Sequence, residues 1–247
     1  RLELWRQQLI VRHVEQRAQD LFLQNLIKGT THLSVGQEAV AAGFGVAMNP
    51  GDYTFCTYRG HAHTLVRGAS MEGVLGELMG RECGLMQGKG GSMHIADFSV
   101  GMLGANGVVG AGILIAVGAA HAIKIRGGSS VVVCFFGDGA TNRGPFLEGL
   151  NWAKVYGLPV LFVCEDNEFA ATTRTAELSA GPGPAARAES LGIPATAVDG
   201  NDVVAVDRAC ADLVARVRAG AGPLFLHART FRLKGHTSAD ADQYRDA

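Results

Sequence analysis

The sequence predicts an α/β fold built on a doubly wound, mainly parallel sheet. Two apolar runs, residues 131–136 and 159–164, carry no charged side chain. Such runs are typical of strands that are buried on both faces, and these strands are usually parallel. A helical stretch over residues 145–156 lies between them and is closed by Gly157. A strand, a helix and a second strand in this order form a right-handed crossover, so both strands should end at the same edge of the sheet.

The N-terminal part of the chain is predicted to be helical. Residues 2–27 carry apolar side chains at helical spacing, which indicates a packing helix. Ser34 is expected to begin a second helix, because Gln37 follows three residues later and the pair has the pattern of a capping box. These two helices would form an extension over about residues 1–50.

The middle of the chain alternates between extended and helical segments. Residues 53–58 are expected to be extended, and Ser70 is placed to cap a short helix that reaches Gly80. A glycine-rich segment then runs to Gly112, which suggests close backbone packing around a ligand or another chain. An alanine-rich helix follows it, to about Lys124.

The C-terminal part completes the alternation. Residues 171–186 are expected to form a polar loop, residues 195–198 a strand, and Asp202 to cap the next helix. Residues 224–232 form the last predicted strand. Because no repeat and no linker interrupts the pattern, we expect a single domain over residues 1–247.

Composition argues against several classes of protein. With 47% hydrophobic and 18% charged residues, the 247-residue chain is globular rather than disordered. A net charge of −1 without a long basic run argues against a nucleic-acid partner. Five cysteines with no CxxC pair fit a reducing, cytoplasmic compartment. The longest apolar stretch, residues 108–120, is too short and too interrupted by glycine to span a membrane.

Polar residues follow both strands of the predicted crossover. Asp138 stands between Gly137 and Gly139 directly after the first strand, and Asn167 follows the second. Carboxylate and amide oxygens are hard ligands suited to Mg²⁺, while glycines before a helix let backbone N–H groups approach a phosphate. An isolated Asp-Gly pair is usually an ordinary turn. The flanking strands and helix favour a metal-diphosphate site instead.

This pattern is similar to the thiamine-diphosphate fingerprint, Gly-Asp-Gly followed by Asn-Asn, with Asp166 in place of the first Asn. Several other segments resemble the alpha subunit of the thiamine-diphosphate-dependent first component of 2-oxo acid and acetoin dehydrogenase complexes. These segments are His32 with Gly36-Gln37-Glu38, Tyr58-Arg59, and residues 88–94, 106–110 and 232–237. The resemblance covers nearly the whole chain and implies the thiamine-diphosphate-binding fold, as its diphosphate-binding domain.

The resemblance also implies roles for residues at matching positions. Asp138, Asn167 and the backbone carbonyl of Phe169 would bind Mg²⁺. The diphosphate would be bound by side chains and backbone groups of Tyr58, Arg59, Gly137, Gly139, Ala140 and Arg232.

Four further residues would meet the organic part of the cofactor or the substrate. Gly107 and Val109 would contact the aminopyrimidine, with Val109 wedged between the two rings. His236 follows a strand end in a polar loop and would act as an acid–base group beside the cofactor. His32 resembles the family's substrate-facing histidine. The alternatives are ordinary core packing for Val109 and a structural role for either histidine.

Partners and substrate are implied in the same way. The glutamate that activates the pyrimidine comes from a beta chain in this family, so we expect two alpha and two beta chains and a lipoyl-bearing acyltransferase. Residues 94–107 look most like acetoin dehydrogenase chains, with pyruvate or a branched 2-oxo acid as alternatives. A split transketolase half and a non-catalytic scaffold are further alternatives. Thr237 matches a position phosphorylated in some relatives, and a regulatory role for it is an open question.

Overall fold

A computed structural model describes residues 1–245 and contains one six-stranded parallel sheet. Its strands and a separate two-stranded antiparallel hairpin are, in chain order, β1 (Tyr53–Thr57), β2 (Met102–Asn106), β3 (Val132–Gly137), β4 (Val160–Asp166), β5 (Phe169–Ala170), β6 (Thr173–Arg174), β7 (Ala195–Asp199) and β8 (Leu224–Arg229). The order across the main sheet is β2-β1-β3-β4-β8-β7. The chain therefore changes direction across the sheet between β1 and β3, which is where open α/β sheets bind ligands.

Helices cover both faces of this sheet. They are α1 (Leu2–Leu23), α2 (Glu38–Ala47), α3 (His61–Val66), α4 (Met71–Leu78), α5 (Ala111–Ile125), α6 (Gly144–Tyr156), α7 (Thr175–Leu178), α8 (Pro184–Glu189) and α9 (Val203–Arg218). Among the described residues, none of these helices combines the length and the apolar character needed to cross a bilayer.

The two faces of β3 show why the apolar pattern predicts a doubly covered sheet. Val133 and Phe135 belong to the core cluster shared with α1, α2 and α9. Cys134 and Phe136 belong to the other cluster, shared with α5 and α6. Successive side chains of a strand point to opposite faces, so an unbroken apolar run requires cover on both sides. The predicted α/β class with a parallel sheet is confirmed.

The second helix begins later than the capping-box pattern indicates. It starts at Glu38, and its first residue receives no side-chain cap from Ser34. The backbone N–H of Ser34 donates instead to Glu15 Oε1 on α1, at 3.0 Å. The Glu38 carboxylate accepts from the N–H of Gly36, with both oxygens at 3.0 Å. The prediction that Ser34 caps this helix is wrong. The N–H of Gln37 donates to the Ser34 backbone carbonyl at 2.8 Å, and the Gln37 side chain donates to Thr230 Oγ1 at 3.1 Å, so neither half of the capping box forms.

Two other caps form as the sequence predicts. The Ser70 hydroxyl accepts from the N–H of Gly73 at the start of α4. The Asp202 carboxylate accepts from the N–H groups of Val204 and Ala205 at the start of α9. The pattern of the sequence is sufficient here because both partners of each bond lie within one helical turn.

The glycine-rich segment packs on its own chain. The Glu77 carboxylate of α4 accepts four backbone N–H groups from it: Met86 at 2.7 Å and Gly88 at 2.9 Å on Oε2, and Gly90 at 2.7 Å and Gly91 at 3.0 Å on Oε1. A side chain at position 88 would place its Cβ 2.4 Å from a backbone carbon of Gly80. Over residues 86–91 the close backbone packing expected of this segment is arranged around this carboxylate, and packing around a ligand or another chain stays a prediction.

Some boundaries differ from the expected ones. The first helix ends at Leu23, and β2 forms inside the glycine-rich segment, where no strand is predicted. The last strand ends at Arg229 rather than at residue 232. The expected loop over residues 171–186 contains β6, α7 and the start of α8. These differences arise in glycine-rich or polar segments, where periodicity carries little information.

Candidate functional site

A cavity of about 400 Å³ opens at the carboxyl ends of β1 and β3, at the point where the strand order reverses. All but three of the predicted site residues line it: His32, Tyr58, Gly107, Val109, Gly137, Asp138, Gly139, Ala140, Phe169 and His236. Within the described residues, the exceptions are Arg59, Asn167 and Arg232, which are not among the lining residues. Thr57, Met93, Ala170 and Ala171 complete the lining and were not predicted.

Asp138 is the buried carboxylate of this cavity, 1% exposed at the end of β3. Its Oδ2 accepts a hydrogen bond from the Thr175 hydroxyl. Its Oδ1 has no hydrogen-bond partner among residues 1–245. Burial raises the pKa of Asp138 to about 6, although the Thr175 bond opposes that shift. A buried carboxylate oxygen without a partner is costly unless a ligand satisfies it, and an anionic oxygen suits a cation.

The two other predicted metal ligands lie beside Asp138. The backbone N–H of Asn167 is one of the groups that lower the Asp138 pKa, so the ends of β3 and β4 meet as predicted. Asn167 Oδ1 accepts from the N–H of Phe169 at 3.2 Å, and its Nδ2 donates to Gln37 Oε1 at 3.3 Å. A carbonyl-type oxygen has a second lone pair, so this bond leaves Oδ1 able to bind a metal.

A metal here would depend on mixed oxygen ligands. Over the part of the chain that the structure describes, no three His, Cys, Asp or Glu side chains are grouped so as to hold an ion. The Asp138 carboxylate, the Asn167 amide and oxygens of a bound cofactor form the kind of set that Mg²⁺ accepts. The residues present therefore fit a magnesium diphosphate.

Gly139 allows the β5–β6 hairpin to close over the site. Residues 138–142 form a 3₁₀ turn before α6 begins at Gly144. A side chain at position 139 would place its Cβ 2.8 Å from the Cβ of Ala170. The predicted backbone donors of Gly139 and Ala140 therefore lie in a 3₁₀ turn and not in the first turn of α6. The hairpin that carries Phe169 packs directly on this 3₁₀ turn.

The Arg232 side chain lies behind His236 and is 2% exposed. Its guanidinium donates to His236 Nδ1 at 3.2 Å, to the Ala171 carbonyl at 3.2 Å and to the Tyr244 hydroxyl at 2.7 Å. Its Nε has no partner within residues 1–245. Burial lowers the pKa of Arg232. An unsatisfied cationic donor beside the cavity is suited to an anionic group such as a phosphate.

Arg59 is engaged with the protein backbone. It donates to the Leu33 carbonyl and, at 3.3 Å, to the carbonyl of His236. It is 7% exposed, and burial lowers its pKa. Its predicted contact with a diphosphate stays a prediction, and its visible role is to hold the segments that carry His32 and His236.

The two predicted catalytic histidines lie together. The rings of His32 and His236 are 4.8 Å apart, and the Tyr58 ring lies 4.1 Å from His32 and 5.5 Å from His236. Because a guanidinium only donates, the Arg232 bond makes His236 Nδ1 the acceptor and assigns the ring proton to Nε2. Burial and the charge of Arg59 lower the pKa of His236 to about 4 and of His32 to about 2. Both rings are therefore neutral at pH 7.

His236 is held at its backbone as well as at its ring. Its N–H donates to Asp240 Oδ2 at 2.6 Å and to the Tyr244 hydroxyl at 3.1 Å. Tyr244 in turn donates to Asp240 at 2.7 Å. Sequence reasoning missed Thr175, Asp240 and Tyr244. A single hydroxyl or carboxylate outside a recognised motif offers no pattern by which it could have been found.

Gly107 and Val109 follow β2 and line the cavity. A side chain at position 107 would place its Cβ 3.3 Å from the His94 ring. Val109 is half-buried and packs against the core cluster under α5. It therefore combines core packing with a surface on the cavity, and its wedge role stays a prediction.

Asp166, where the fingerprint has Asn, forms the turn after β4. Its Oδ1 accepts from the N–H of Glu168 at 2.9 Å, and its Oδ2 lies 2.7 Å from His227 Nε2. Burial alone would raise the pKa of Asp166, but the bonds from His227 and Glu168 outweigh it and the net shift is downward. An asparagine side chain could accept the same bond from the N–H of Glu168. The presence of Asp in place of Asn at position 166 is therefore compatible with the turn after β4.

The depressed pKa of His32 predicts a pH-dependent loss of stability. Its pKa falls from 6.5 to about 2 on folding, so below pH 6.5 the unfolded chain binds a proton that the folded chain excludes. Relative to His32→Gln, the wild-type free energy of unfolding should decrease by about 1 kcal/mol per pH unit from pH 6.5 to pH 5, and the slope should approach about 1.4 kcal/mol per unit at lower pH. Urea denaturation at several pH values measures this difference. Parallel profiles for the two proteins would contradict the assignment.

Comparison with known proteins adds independent information. The family described as "Dehydrogenase E1 component" matches residues 6–247. The alpha subunit of acetoin:2,6-dichlorophenolindophenol oxidoreductase from Bacillus subtilis is 43% identical over 99% of this chain and 73% of that protein. The corresponding subunit from Cupriavidus necator is 42% identical over 100% of this chain and 74% of that protein.

Two other similarities extend the comparison. The alpha subunit of the pyruvate dehydrogenase E1 component from Rhizobium meliloti is 40% identical over 99% of this chain and 70% of that protein. The crystal structure of transketolase from Campylobacter jejuni superposes with a TM-score of 0.71 at 18% identity, over 93% of this chain and 38% of that chain. At that identity the transketolase shows the fold alone.

Proposed function

Because this chain belongs to the dehydrogenase E1 component family, we propose that it is the alpha subunit of a dehydrogenase that cleaves acetoin or a 2-oxo acid, with acetoin favoured. Members of this family are thiamine-diphosphate-dependent oxidoreductases. The acyl group would pass to a lipoyl carrier. The relatives with the highest identities quoted above act on acetoin, and the pyruvate dehydrogenase subunits follow within a few per cent.

The observation that carries this proposal is an unsatisfied oxygen in the cavity together with an unsatisfied nitrogen on Arg232, which bonds to the cavity residue His236. Asp138 offers an acceptor oxygen, and Arg232 offers a donor nitrogen, without partners among the described residues. A metal diphosphate needs both kinds of group: a hard anionic oxygen for the cation and a cationic donor for the phosphate. Asp138, Asn167 and Phe169 would hold Mg²⁺, and Arg232 with Tyr58 would face the diphosphate.

Thiamine diphosphate, when bound, supplies the carbon nucleophile and the electron sink for cleavage of a C–C bond. The chain's own residues position the reacting groups and manage protons. His236 presents its Nε2–H toward the cavity, because Arg232 occupies Nδ1. A neutral donor of this kind can hydrogen-bond the substrate oxygen and can give up or regain a proton there. His32, also neutral, would bind the other side of the substrate.

The proposal includes a beta subunit. Activation of the pyrimidine requires a carboxylate beside that ring. Asp138 is the carboxylate of the described cavity lining, and the proposal assigns it to the metal and the diphosphate. The missing group would come from a second chain, giving two alpha and two beta chains with the cofactor between them. A lipoyl-bearing acyltransferase would be the acceptor of the acyl group.

An activity assay on the alpha chain with and without its beta chain tests this proposal. The full alpha chain alone should show no acetoin or pyruvate cleavage, and the beta chain that is encoded or purified with it should restore activity. Turnover is measured with thiamine diphosphate, Mg²⁺ and either 2,6-dichlorophenolindophenol or a lipoyl domain as acceptor. We expect a higher kcat/KM for acetoin than for pyruvate.

Other outcomes of this assay favour the alternatives. Full activity of the alpha chain alone would refute a shared active site. Transfer of a two-carbon unit between sugar phosphates, without a lipoyl acceptor, would identify a split transketolase half. Cofactor binding without turnover of any of these substrates would favour a non-catalytic scaffold.

A further inference from the structure

A second polar cluster lies behind His32, away from the residues assigned to cofactor or substrate. Glu15 on α1 and His61 on α3 are fully buried, and Ser92 in a 3₁₀ turn is 7% exposed. His61 Nδ1 lies 3.0 Å from Glu15 Oε2, and His61 Nε2 lies 2.8 Å from Ser92 Oγ. Serine, histidine and glutamate thus form one continuous chain of hydrogen bonds.

The residues at the two ends of this hydrogen-bond series, Ser92 and Glu15, both bond to the backbone of the segment that carries His32. The N–H of His32 donates to Ser92 Oγ at 3.4 Å, and the N–H of Ser34 donates to Glu15 Oε1 at 3.0 Å. Since backbone N–H groups only donate, Ser92 and Glu15 are the acceptors. Because a carboxylate only accepts, His61 Nδ1–H points to Glu15; the other nitrogen of the neutral ring, Nε2, then accepts from the Ser92 hydroxyl.

Neighbouring bonds complete the attachment of this segment. The Leu33 carbonyl accepts from Arg59, and the Thr31 carbonyl accepts from the N–H of Ser238 at 2.8 Å. The side chain of His32 contributes nothing comparable, since its Nδ1 has no partner within the described part of the chain. Apart from its packing against the rings of Tyr58 and His236, the position of the His32 ring in the cavity therefore depends on its backbone.

The residue types are those of a nucleophilic triad, but the geometry assigns another role. The Ser92 hydroxyl lies behind His32, is nearly inaccessible to solvent and already accepts a backbone N–H. Its neighbour Met93 lines the cavity, whereas Ser92 does not. The hydrogen-bonded residues Ser92, His61 and Glu15 therefore affect the cavity only indirectly, through the backbone segment that they hold in place.

We propose that Ser92, His61 and Glu15 are positioning residues that fix His32 in the cavity through the backbone of residues 32–34. The proposal rests on the proposed function for the catalytic part of its test. Small displacements of a group in an active site reduce turnover strongly, because the reacting geometry is lost. Loss of the hydrogen bonds that join Ser92, His61 and Glu15 should therefore reduce turnover without changing cofactor binding.

The test combines hydrogen exchange with kinetics on the complex of alpha and beta chains. In Ser92→Ala, amide exchange in residues 31–34 should accelerate about fivefold, as expected for the loss of one hydrogen bond. With acetoin or pyruvate, kcat should fall about 10-fold while the affinity for thiamine diphosphate is unchanged. Ser92→Thr keeps the hydroxyl and should restore both properties.

Two further variants sharpen the result. Glu15→Gln places an amide donor against either the Ser34 N–H or His61 Nδ1–H, so it should have the same effects as Ser92→Ala. Ser99→Ala is the matched control, because Ser99 is an exposed serine in the next 3₁₀ turn and bonds only to Asp97 among the described residues. It should change neither exchange nor kcat.

Two outcomes would overturn the proposal. One is unchanged exchange in residues 31–34 of both Ser92→Ala and Glu15→Gln. The other is a fall in kcat with unchanged exchange, since Ser92 would then act by itself. If the wild-type complex turns over neither substrate, the proposed function fails. The exchange data still decide whether Ser92, His61 and Glu15 hold the His32 segment.

Discussion

Replacing Asp138 with alanine should abolish Mg²⁺-dependent binding of thiamine diphosphate to the complex of alpha and beta chains. Asp138 is the buried carboxylate of the cavity, and its Oδ1 has no partner among residues 1–245. Loss of a residue that merely supports a metal ligand costs about 10- to 100-fold in affinity, so loss of a direct ligand should cost more than about 100-fold. Activity should fall at least as far.

The fold should survive this substitution. The Asp138 carboxyl has a raised pKa because its charged form is disfavoured by burial. Removing a buried, poorly satisfied carboxylate should not lower the stability of the cofactor-free protein. Circular dichroism and thermal unfolding in the absence of cofactor check this expectation.

Asp166→Asn is the matched control for Asp138→Ala. It removes a carboxylate from the end of the neighbouring strand and keeps an acceptor for the N–H of Glu168. Titration calorimetry with thiamine diphosphate and Mg²⁺ should show near-normal binding for this variant. Equal affinities of the wild type and Asp138→Ala would contradict the metal-site assignment.

Substitution of His236 should reduce turnover far more than cofactor affinity. His236 lines the cavity, and its Nε2–H is available to a substrate because Arg232 occupies Nδ1. Removing an acid–base group typically costs 10²- to 10⁴-fold, so His236→Ala should lower kcat by about 10²-fold or more. The change in thiamine diphosphate affinity should be much smaller.

A glutamine at position 236 separates two roles of this ring. Its amide nitrogen can replace the donor at Nε2 but cannot transfer a proton. If His236 transfers protons, His236→Gln should be as slow as His236→Ala; if it only donates a hydrogen bond, much of the activity should return. His13→Ala, on the exposed face of α1, is the control and should retain full activity. Near-normal turnover of His236→Ala would return this residue to a structural role.

Features that depend on neighbouring residues could be predicted from the sequence. The apolar runs of β3 and β4 predict a sheet covered on both faces, because alternate side chains of each strand enter different cores. The caps by Ser70 and Asp202 could be predicted for the same reason, since each side chain bonds to backbone within three residues. The Gly-Asp-Gly motif marks the end of β3, where Asp138 lies in the cavity.

Features that depend on partners far along the chain could not be predicted. The expected capping box of Ser34 and Gln37 fails because the Gln37 side chain donates to Thr230, 193 residues further along the chain, and not to Ser34. The strand β2 forms in a glycine-rich segment because β1 offers it a pairing edge. In neither case does the local pattern contain the partner that decides the conformation.

The candidate site divides in the same way. By itself the sequence determined the α/β class and the crossover that joins β3 to β4, and it predicted Asp138, Asn167 and His236 as site residues, since each of these follows from a local motif or period. Only the tertiary structure decided that the Thr175 hydroxyl bonds to Asp138 and that Arg232 assigns the proton of His236 to Nε2. The physical reason is that hydrogen-bond geometry and burial, which set charge and orientation, depend on groups that meet only when the chain is folded.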